Sequence, residues 1–285
     1  MFMGEFIPFF KMTGSGNDFI IIDNRTGIVA PEQGAELAKM ACRRKLSVGA
    51  DGLILIEGDP EVDFRWNFYN SDGSVAEMCG NGARCAARFC YLTGIVKSKE
   101  MVFRTMAGLI RAEVIDERVR VQIPGVGGVK LGINLGIGPG ELHFANTGVP
   151  HVVFFLPDEK ALNDIDVVSI GRAIRFHEYF QPAGTNVNFA CVKGIHDVVV
   201  RTYERGVEDE TLACGTGSIA AAILSCATGK AEPPVRVKTR GGEVLAVYFD
   251  VSRDNDDEVR FRDVYLEGPA LVVYEGRMWM ETVKA

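Results

Sequence analysis

The sequence predicts an α+β protein of two pseudo-symmetric domains, each a mostly antiparallel sheet or barrel wrapped around a central buried helix. Cys-Gly-x-Gly precedes a helical segment twice, at 79–82 and at 214–217, an offset of 135 (214 − 79). The sequence around Gly16 is echoed around Gly148, at an offset of 132 (148 − 16). Two features in the same order at nearly equal offsets indicate a duplicated half. The helix predicted after Cys214 carries no charge on any face, which indicates burial on all sides.

Composition sets the class of protein. The 285 residues are 47% hydrophobic and 24% charged, which is typical of a globular chain long enough for two cores. A net charge of −7 argues against nucleic acid or an anionic membrane as partner. There is no apolar run of about eighteen residues, and the N-terminal residues do not resemble a signal peptide. Seven cysteines, an odd number, are typical of reduced thiols in the cytoplasm.

The first half, residues 1–124, contains one loop, two helices and a series of strands. Lys11–Gly16 is expected to be a loop, residues 31–46 have helical spacing, and the segment after Gly82 has no helix breaker before Gly94. The expected strands are short apolar or alternating runs. They lie at 18–23, 53–57, 64–70, 101–105, 110–115 and 119–123.

The second half, residues 125–270, is expected to repeat this order. Seven glycines between Gly125 and Gly140 indicate a linker at the domain boundary. Helices are expected at 168–176 and from the Cys214 loop to about Thr228, and the final segment, 271–285, as a strand added back to the first half. The other strands are predicted at 151–156, 188–192, 198–203, 235–239, 244–249 and 259–261.

Two cysteines at two helix starts suggest proton transfer at a stereocentre. Inversion requires one group on each face of the carbon, and each group must act as acid or as base. A thiol of pKa about 8.5 is lowered toward neutrality at a helix N-terminus. We therefore expect Cys79 and Cys214 to face each other across a cleft between the domains. The remaining cysteines are expected to be small buried hydrophobes: Cys42, Cys85, Cys90, Cys191 and Cys226.

The glycine-rich helix starts also predict an anion site. Backbone N–H groups in the first turn of a helix lack intrahelical partners and can bind a carboxylate. The substrate's α-carboxylate is expected to accept hydrogen bonds from Gly80, Asn81, Gly215 and Thr216. Negative charge that develops on deprotonation would be stabilised there.

Three motifs resemble those of the diaminopimelate epimerase family. Asn-x-Asp-Gly-Ser-x-Ala-x-x-Cys-Gly-Asn-Gly at 70–82 and Tyr-Glu-Arg-Gly-x-x-x-Glu-Thr-x-Ala-Cys-Gly-Thr-Gly at 203–217 are similar to its two cysteine signatures. Gly-x-Gly-Asn-Asp-Phe at 14–19 is similar to its N-terminal motif. The resemblance implies a cofactor-free, metal-free epimerase that interconverts LL- and meso-diaminopimelate in lysine and peptidoglycan synthesis. It also implies the two-domain fold described above.

The resemblance also implies roles for individual side chains. Cys79 and Cys214 would be the acid/base pair. His151 would tune the thiol pKa values, a role shared by Glu204. The remaining contacts would be with the substrate and involve Asn17, Asn70, Asn186, Glu204 and Arg205. Diaminopimelate is the expected partner, nucleic acid and membrane are not, and a homodimer is left open.

The sequence departs from the family's pattern at two positions, and two other functions remain as alternatives. Val149 stands where many members have asparagine, and Gly52 stands where some have glutamine. One alternative is another cofactor-independent racemase or isomerase of this fold, which turnover of proline or glutamate would support. The other is a thiol-redox or metal-binding protein, although the sequence has no Cys-x-x-Cys.

Overall fold

The computed structural model describes residues 6–253 and 259–283. Contacts divide them into two units, one with the described residues up to Val121 and from Gly268 onward, the other with those of Gln122–Glu267. The sequence-based boundary was placed after residue 124, with residues 271–285 returned to the first half. Residues 1–5, which bear on the signal-peptide expectation, and residues 284–285 of the expected final strand lie outside the described residues.

The first unit is a mixed sheet with two helices. Its sheet order is β17–β1–β2–β3–β4–β5–β6–β7, in which β2–β3 and β4–β5 are parallel and the other neighbours antiparallel. The elements are β1 (Phe6–Gly14), β2 (Asn17–Asp23), α1 (Gly34–Ala41), β3 (Gly52–Glu57), β4 (Phe64–Asn70), α2 (Gly80–Leu92), β5 (Glu100–Thr105), β6 (Gly108–Ile115), β7 (Arg118–Gln122) and β17 (Leu271–Trp279).

The second unit has the same pairing scheme. Its order is β8–β9–β10–β11–β12–β14–β15–β16, and β10–β11 and β12–β14 are the parallel pairs; β13 also pairs with β12. The elements are β8 (Val126–Ile133), β9 (Leu142–Thr147), β10 (Pro150–Phe155), α3 (Glu159–Asp164), α4 (Val167–Arg175), β11 (Asn186–Gly194), β12 (Asp197–Glu204), β13 (Asp209–Thr211), α5 (Gly215–Ala227), β14 (Val235–Lys238), β15 (Val244–Arg253) and β16 (Val259–Pro269).

One helix in each unit is packed inside the curve of its sheet. Helix α2 contacts β1, β2, β3 and β6, and α5 contacts the equivalent strands β9, β10, β11 and β15 as well as β12 and β14. From Ile219 to Ser225 every residue of α5 is fully buried, as its lack of charge predicted. The α+β class is thus confirmed.

Helices α1 and α4, which lie one in each unit, pack against their sheets in the same way. A Cβ atom on Gly34 of α1 would lie 2.5 Å from the Tyr69 hydroxyl, and one on Gly171 of α4 would lie 2.5 Å from Tyr203 Cβ. Tyr69 and Tyr203 are the second-to-last residues of equivalent strands, β4 and β12. Each helix therefore approaches a tyrosine so closely that only glycine fits at the contact.

Two sequence predictions of irregular structure are wrong. Lys11–Gly16 belongs mostly to β1, because Lys11 is buried and forms an ion pair with Asp18 Oδ2 at 2.8 Å. The expected linker Gly125–Gly140 contains β8, which pairs with β9 through two irregularities in register. Glycines with positive φ, among them Gly128 and Gly132, allow these irregularities within a strand.

Helix lengths also differ in part. The helix expected at 31–46 is a 3₁₀ turn at Pro31–Gln33 followed by α1, which ends at Ala41. Helix α3 was not predicted, because six residues are too few to show a helical period. Among the described residues no helix is long and apolar enough to cross a membrane.

An ion-pair network stabilises the first unit. Asp18 accepts hydrogen bonds from Arg44 at 2.6 and 3.0 Å and forms an ion pair with Lys11. Burial raises the pKa of Asp18, but the bonds from Arg44 and Lys11 outweigh it and hold the pKa at about 2. A carboxylate with a depressed pKa stabilises the fold above its unfolded pKa and loses that contribution as the pH falls through the folded value.

We predict that Asp18→Asn lowers the free energy of unfolding by about 1–2 kcal/mol at pH 7, allowing for solvent screening of Arg44. The deficit relative to the parent should shrink between pH 4 and pH 2, where the parent's Asp18 becomes protonated. Urea denaturation at several pH values measures both quantities. A deficit that stays constant down to pH 2 would mean that the charge of Asp18 is not what stabilises the fold.

Candidate active site

Cys79 caps the N-terminus of α2. Its backbone is extended, at φ −145° and ψ 117°, and its Sγ accepts a hydrogen bond from the Gly82 N–H at 3.4 Å. The first intrahelical bond runs from the Ala83 N–H to the Cys79 carbonyl, at 2.8 Å. Gly80 and Asn81 thus form the first turn, whose N–H groups have no acceptor within the helix.

Cys214 caps α5 in nearly the same conformation, at φ −129° and ψ 110°. The Ser218 N–H donates to its carbonyl at 2.9 Å, and its Sγ lies 3.5 Å from the Thr216 hydroxyl oxygen. Gly215 and Thr216 form the first turn. The duplicated motif therefore places in each unit a thiol beside N–H groups that have no acceptor within the helix.

The pKa expected for Cys214 is wrong in direction. Burial and, to a smaller extent, the negative charge of Glu204 raise the pKa of this thiol to about 12. Hydrogen bonds from the Thr216 side chain and from the backbone of Gly217 and Thr216 lower it without offsetting the burial. The helix start supplies the expected stabilisation of a thiolate, but the thiol is 8% exposed and desolvation dominates.

In the first unit, Asn17 and Asn81 belong to one chain of hydrogen bonds. Arg84, which is fully buried, donates from Nη2 to Asn81 Oδ1 at 2.9 Å. Asn81 Nδ2 donates to Asn17 Oδ1 at 2.7 Å, and Asn17 Nδ2 donates to Asp51 Oδ2 at 3.1 Å. We call this chain Arg84–Asn81–Asn17–Asp51 the amide relay.

The ends of the amide relay determine how both carboxamides point. A guanidinium can only donate hydrogen bonds and an ionised carboxylate can only accept them. Asn81 must therefore turn its oxygen to Arg84, and Asn17 must turn its nitrogen to Asp51. The second N–H of Asn17 is not used in the relay and is available as a donor of fixed direction.

In the second unit, the Asn186 side chain links the segment at Pro150 to the segment at Arg205. Its carboxamide is buried, donates from Nδ2 to the Pro150 carbonyl at 3.0 Å and accepts the Arg205 N–H at 2.8 Å. Arg205 Nη1 also donates to the Ala183 carbonyl at 2.8 Å. Glu204 Oε2 accepts the Thr211 hydroxyl at 2.9 Å, and burial raises the pKa of Glu204.

His151 lies beside Asn186 in the parallel register of β10 and β11 and is fully buried. Burial, with a smaller contribution from the charge of Arg205, lowers the pKa of His151 to about 3. The imidazole is therefore neutral at physiological pH. Its Nδ1 lies 3.2 Å from Asn188 Nδ2.

The structure thus groups the predicted residues within each unit. Asn17, Gly80 and Asn81 lie with Cys79, whereas Glu204, Gly215 and Thr216 lie with Cys214, and His151, Asn186 and Arg205 are joined to one another. Asn70 is not a member of the amide relay, and its Nδ2 donates to the Ser74 hydroxyl at 3.0 Å within its turn.

The other cysteines and possible metal ligands offer no second centre. Cys42, Cys85, Cys90 and Cys191 are buried as expected, while Cys226 is partly exposed. None of the seven cysteines forms a disulfide. Within residues 6–253 and 259–283, no group of three His, Cys, Asp or Glu side chains is arranged to hold a metal ion.

Sequence reasoning missed Asp51, Arg84 and Asn188. The two arginines inside this otherwise largely apolar helix segment, Arg84 and Arg88, were a usable signal, because a buried charge requires partners. Asp51 follows Gly49 in a turn and looks like an ordinary loop residue. Asn188 occupies a strand position whose burial depends on the pairing of β11.

Comparisons with known proteins place the chain in a class. A PhzF-family protein from Bacillus anthracis covers 96% of this chain and 99% of its own, with a TM-score of 0.72 at 14% identity. A hydroxyproline epimerase from Agrobacterium vitis covers 98% and 94%, with a TM-score of 0.67 at 15% identity. These likenesses establish the fold. Together with the cysteine-capped helices, the fold defines a class of duplicated α+β proteins with one cysteine-capped helix in each unit.

The family follows from sequence. The diaminopimelate epimerase family model matches residues 9–127 and 143–265. The diaminopimelate epimerase of Aquifex aeolicus is 47% identical, over 98% of this chain and 100% of that protein. That of Chlorobaculum tepidum is 42% identical over 93% and 98%. The chain belongs to the diaminopimelate epimerase family.

The amide relay generates a prediction. Asp51→Asn replaces an acceptor-only group by an amide that can turn either way, so Asn17 loses its fixed direction. We expect KM of epimerisation to rise about tenfold, since a hydrogen bond to a charged group contributes about 1.5–3 kcal/mol, while kcat changes less.

Arg44→Gln is the matched control, because Arg44 also contacts Asp51, at 2.9 Å, but leaves its carboxylate in place. This variant should keep KM within about twofold, as expected for an exposed ion pair. Steady-state kinetics with thermal unfolding of both variants makes the comparison. Equal KM values for Asp51→Asn and Arg44→Gln would contradict the orienting role of Asp51.

Proposed function

We propose that this chain interconverts LL- and meso-diaminopimelate by two-base proton transfer through Cys79 and Cys214. The observation that carries the proposal is the repeated cap: each unit has one thiol at the start of a buried helix, with backbone angles that differ by no more than 16° (145 − 129). A one-base reaction would need only one such group. Membership of the family supports diaminopimelate as the substrate.

The substrate's α-carboxylate binds the first turns of α2 and α5. Donors are the N–H groups of Gly80, Asn81, Gly215 and Thr216, supplemented by the second N–H of Asn17. A carboxylate there gains from the positive end of each helix dipole. The same donors stabilise the charge that moves toward the carboxylate when the α-proton leaves, which lowers the barrier.

The two thiols carry the proton transfer in complementary states. The raised pKa of Cys214, about 12, keeps it protonated and able to deliver a proton. Cys79 is partly exposed and its Sγ accepts the Gly82 N–H, an arrangement that favours thiolate and hence a base. After one turnover the states are exchanged, which is the starting point for the reverse direction. No cofactor takes part in this scheme.

Recognition of the amino-acid end distant from the reacting carbon involves Asn70, Asn186, Glu204 and Arg205. A guanidinium matches a carboxylate with two parallel hydrogen bonds, and a carboxylate such as Glu204 pairs with an ammonium. Asn186 holds the Arg205 backbone and retains an N–H beyond its bond to Pro150. His151, whose ring is buried, tunes the pKa values of the thiols.

Two further proposals concern the location of the protein in the cell and its oligomeric state. We propose the cytoplasm, because both working thiols must remain reduced. We propose a homodimer, because β17 is an end strand of its unit's sheet and exposes apolar side chains. Leu271, Val273, Tyr274 and Trp279 are 43–55% exposed. Large exposed apolar patches mark association surfaces.

An epimerisation assay with LL-diaminopimelate and no added cofactor tests the proposal. The parent should convert it, whereas proline and glutamate should not turn over. Cys79→Ala and Cys214→Ala should each lower kcat by about 10²–10⁴-fold, because loss of either acid or base stops the transfer.

Cys85→Ala and Cys226→Ala serve as controls, since neither thiol lies at a helix start. Both should retain near-parental kcat once their stability is verified by circular dichroism. Near-normal turnover in Cys79→Ala or Cys214→Ala would refute the two-thiol mechanism. Turnover of proline instead of diaminopimelate would refute the substrate.

A further inference from the structure

A fully buried polar trio lies in the second unit, on three neighbouring strands. It consists of His151 on β10, Asn188 on β11 and Thr202 on β12. Asn188 is at its centre: its Nδ2 donates to the Val152 carbonyl at 2.8 Å, and its Oδ1 accepts the Thr202 hydroxyl at 2.9 Å. Asn188 Nδ2 also lies 3.2 Å from His151 Nδ1.

These bonds determine which way the Asn188 amide points. A backbone carbonyl can only accept, so the atom facing Val152 must be the nitrogen of the carboxamide. The same NH₂ group has a second hydrogen, and it faces His151 Nδ1. A ring nitrogen that accepts a hydrogen bond carries no proton, so the neutral ring has its proton on Nε2.

The pseudo-symmetric first unit shows that a buried trio is not required by the fold. The strand registers Phe19↔Gly52 and Ile54↔Phe68 correspond to His151↔Asn186 and Asn188↔Thr202. Phe19, Ile54 and Phe68 therefore stand where the second unit has His151, Asn188 and Thr202.

The first unit fills these positions with apolar side chains, all 5% exposed or less. Burying polar groups instead is unfavourable unless each finds a partner. The trio therefore gives no advantage in packing, and its presence in one unit alone points to a function.

One atom of the trio has no partner among the described residues: His151 Nε2, which is buried. Buried polar atoms are almost always hydrogen-bonded, so an exception suggests that a ligand or reacting group completes the bond. The trio adjoins the cysteine cap, because a Cβ atom on Gly217 would lie 2.4 Å from Asn188 Oδ1 and 3.3 Å from Cys214 Sγ.

We propose that Asn188 is a positioning residue that holds His151 in the neutral Nε2–H tautomer, so that His151 takes part in the reaction as a hydrogen-bond donor to an anionic sulfur or oxygen and not as a base. The part that concerns the reaction rests on the proposed function. A base at Nε2 would need the proton on Nδ1, where it would oppose the NH₂ group of Asn188.

Burial keeps the pKa of His151 low, so the ring stays neutral and the tautomer is the only open choice. A neutral donor in this position stabilises a thiolate or a substrate carboxylate without adding a charge that would have to be desolvated.

The tautomer can be measured without reference to activity. Long-range ¹H–¹⁵N correlation spectra of histidine-labelled protein at pH 7 distinguish protonated from unprotonated ring nitrogens, and His151→Gln identifies the His151 signals among the four histidines. We expect Nε2 to be protonated and Nδ1 unprotonated. A protonated Nδ1 in the parent overturns the proposal, whether or not the chain epimerises diaminopimelate.

Two variants of the trio extend the test. Asn188→Asp has the same shape but can only accept, so it should move the proton of His151 onto Nδ1. In the same variant kcat should fall about 10- to 100-fold, the contribution of one hydrogen bond to a charged group, with a smaller change in KM. Thr202→Val leaves the Val152 anchor intact and should retain the Nε2–H tautomer.

A parental tautomer in Asn188→Asp would show that Asn188 does not set the proton position. A shifted tautomer with unchanged kcat would show that the donor has no part in the reaction. If the parent shows the Nε2–H tautomer but no turnover of diaminopimelate, the proposed function fails while the positioning role of Asn188 stands.

Discussion

The cap of a buried helix by a cysteine is the interaction on which the rest of this structure depends. A helix surrounded by its sheet satisfies its apolar side chains by burial, but the N–H groups of its first turn have no acceptor in the helix. Placing a thiol at the cap brings a titratable group to those donors. The glycine after each cysteine and the glycine two residues later keep the turn open to an anion. Each half of the chain repeats this arrangement, and the proposed chemistry uses both copies.

The two cysteine caps have nearly the same backbone conformation but differ in the polar side chains that surround them. Cys79 is partly exposed, whereas Cys214 is buried near Glu204. Around Cys79, asparagines are oriented by a buried arginine and a carboxylate. Around Cys214, a histidine is held by an asparagine in positions that are apolar in the first half. Duplication thus supplied equivalent backbones, and substitution at equivalent positions gave the two thiols the different surroundings on which their proposed roles as proton acceptor and proton donor rest.

Sequence reasoning reached the caps because a cysteine followed by two spaced glycines and a helical run has few other interpretations. It predicted the burial of α5 because a helix without charge on any face is stable only when it is buried on all sides. It failed at β8, where glycines that usually mark a linker serve as irregularities within a strand. It failed at Lys11, whose buried ion pair with Asp18 becomes evident only once β1 and β2 are paired. The pKa of Cys214 was misjudged because the helix start is visible in sequence, whereas the depth of burial is not. Asp51, Arg84 and Asn188 act through the direction of an amide, which depends on partners from distant segments.

The most direct test of two thiols serving opposite faces of one carbon is the origin of the proton in the product. LL-diaminopimelate is converted in heavy water, and both substrate and product are analysed by mass spectrometry and ¹H NMR within the first few per cent of turnover. If one thiolate removes the α-proton and the opposite thiol delivers another, the delivering thiol has exchanged with solvent beforehand. Early product should then carry deuterium at the α-carbon while unreacted substrate stays unlabelled. Early product that retains the substrate's own α-proton would mean that a single base serves both faces, contrary to the roles given to Cys79 and Cys214.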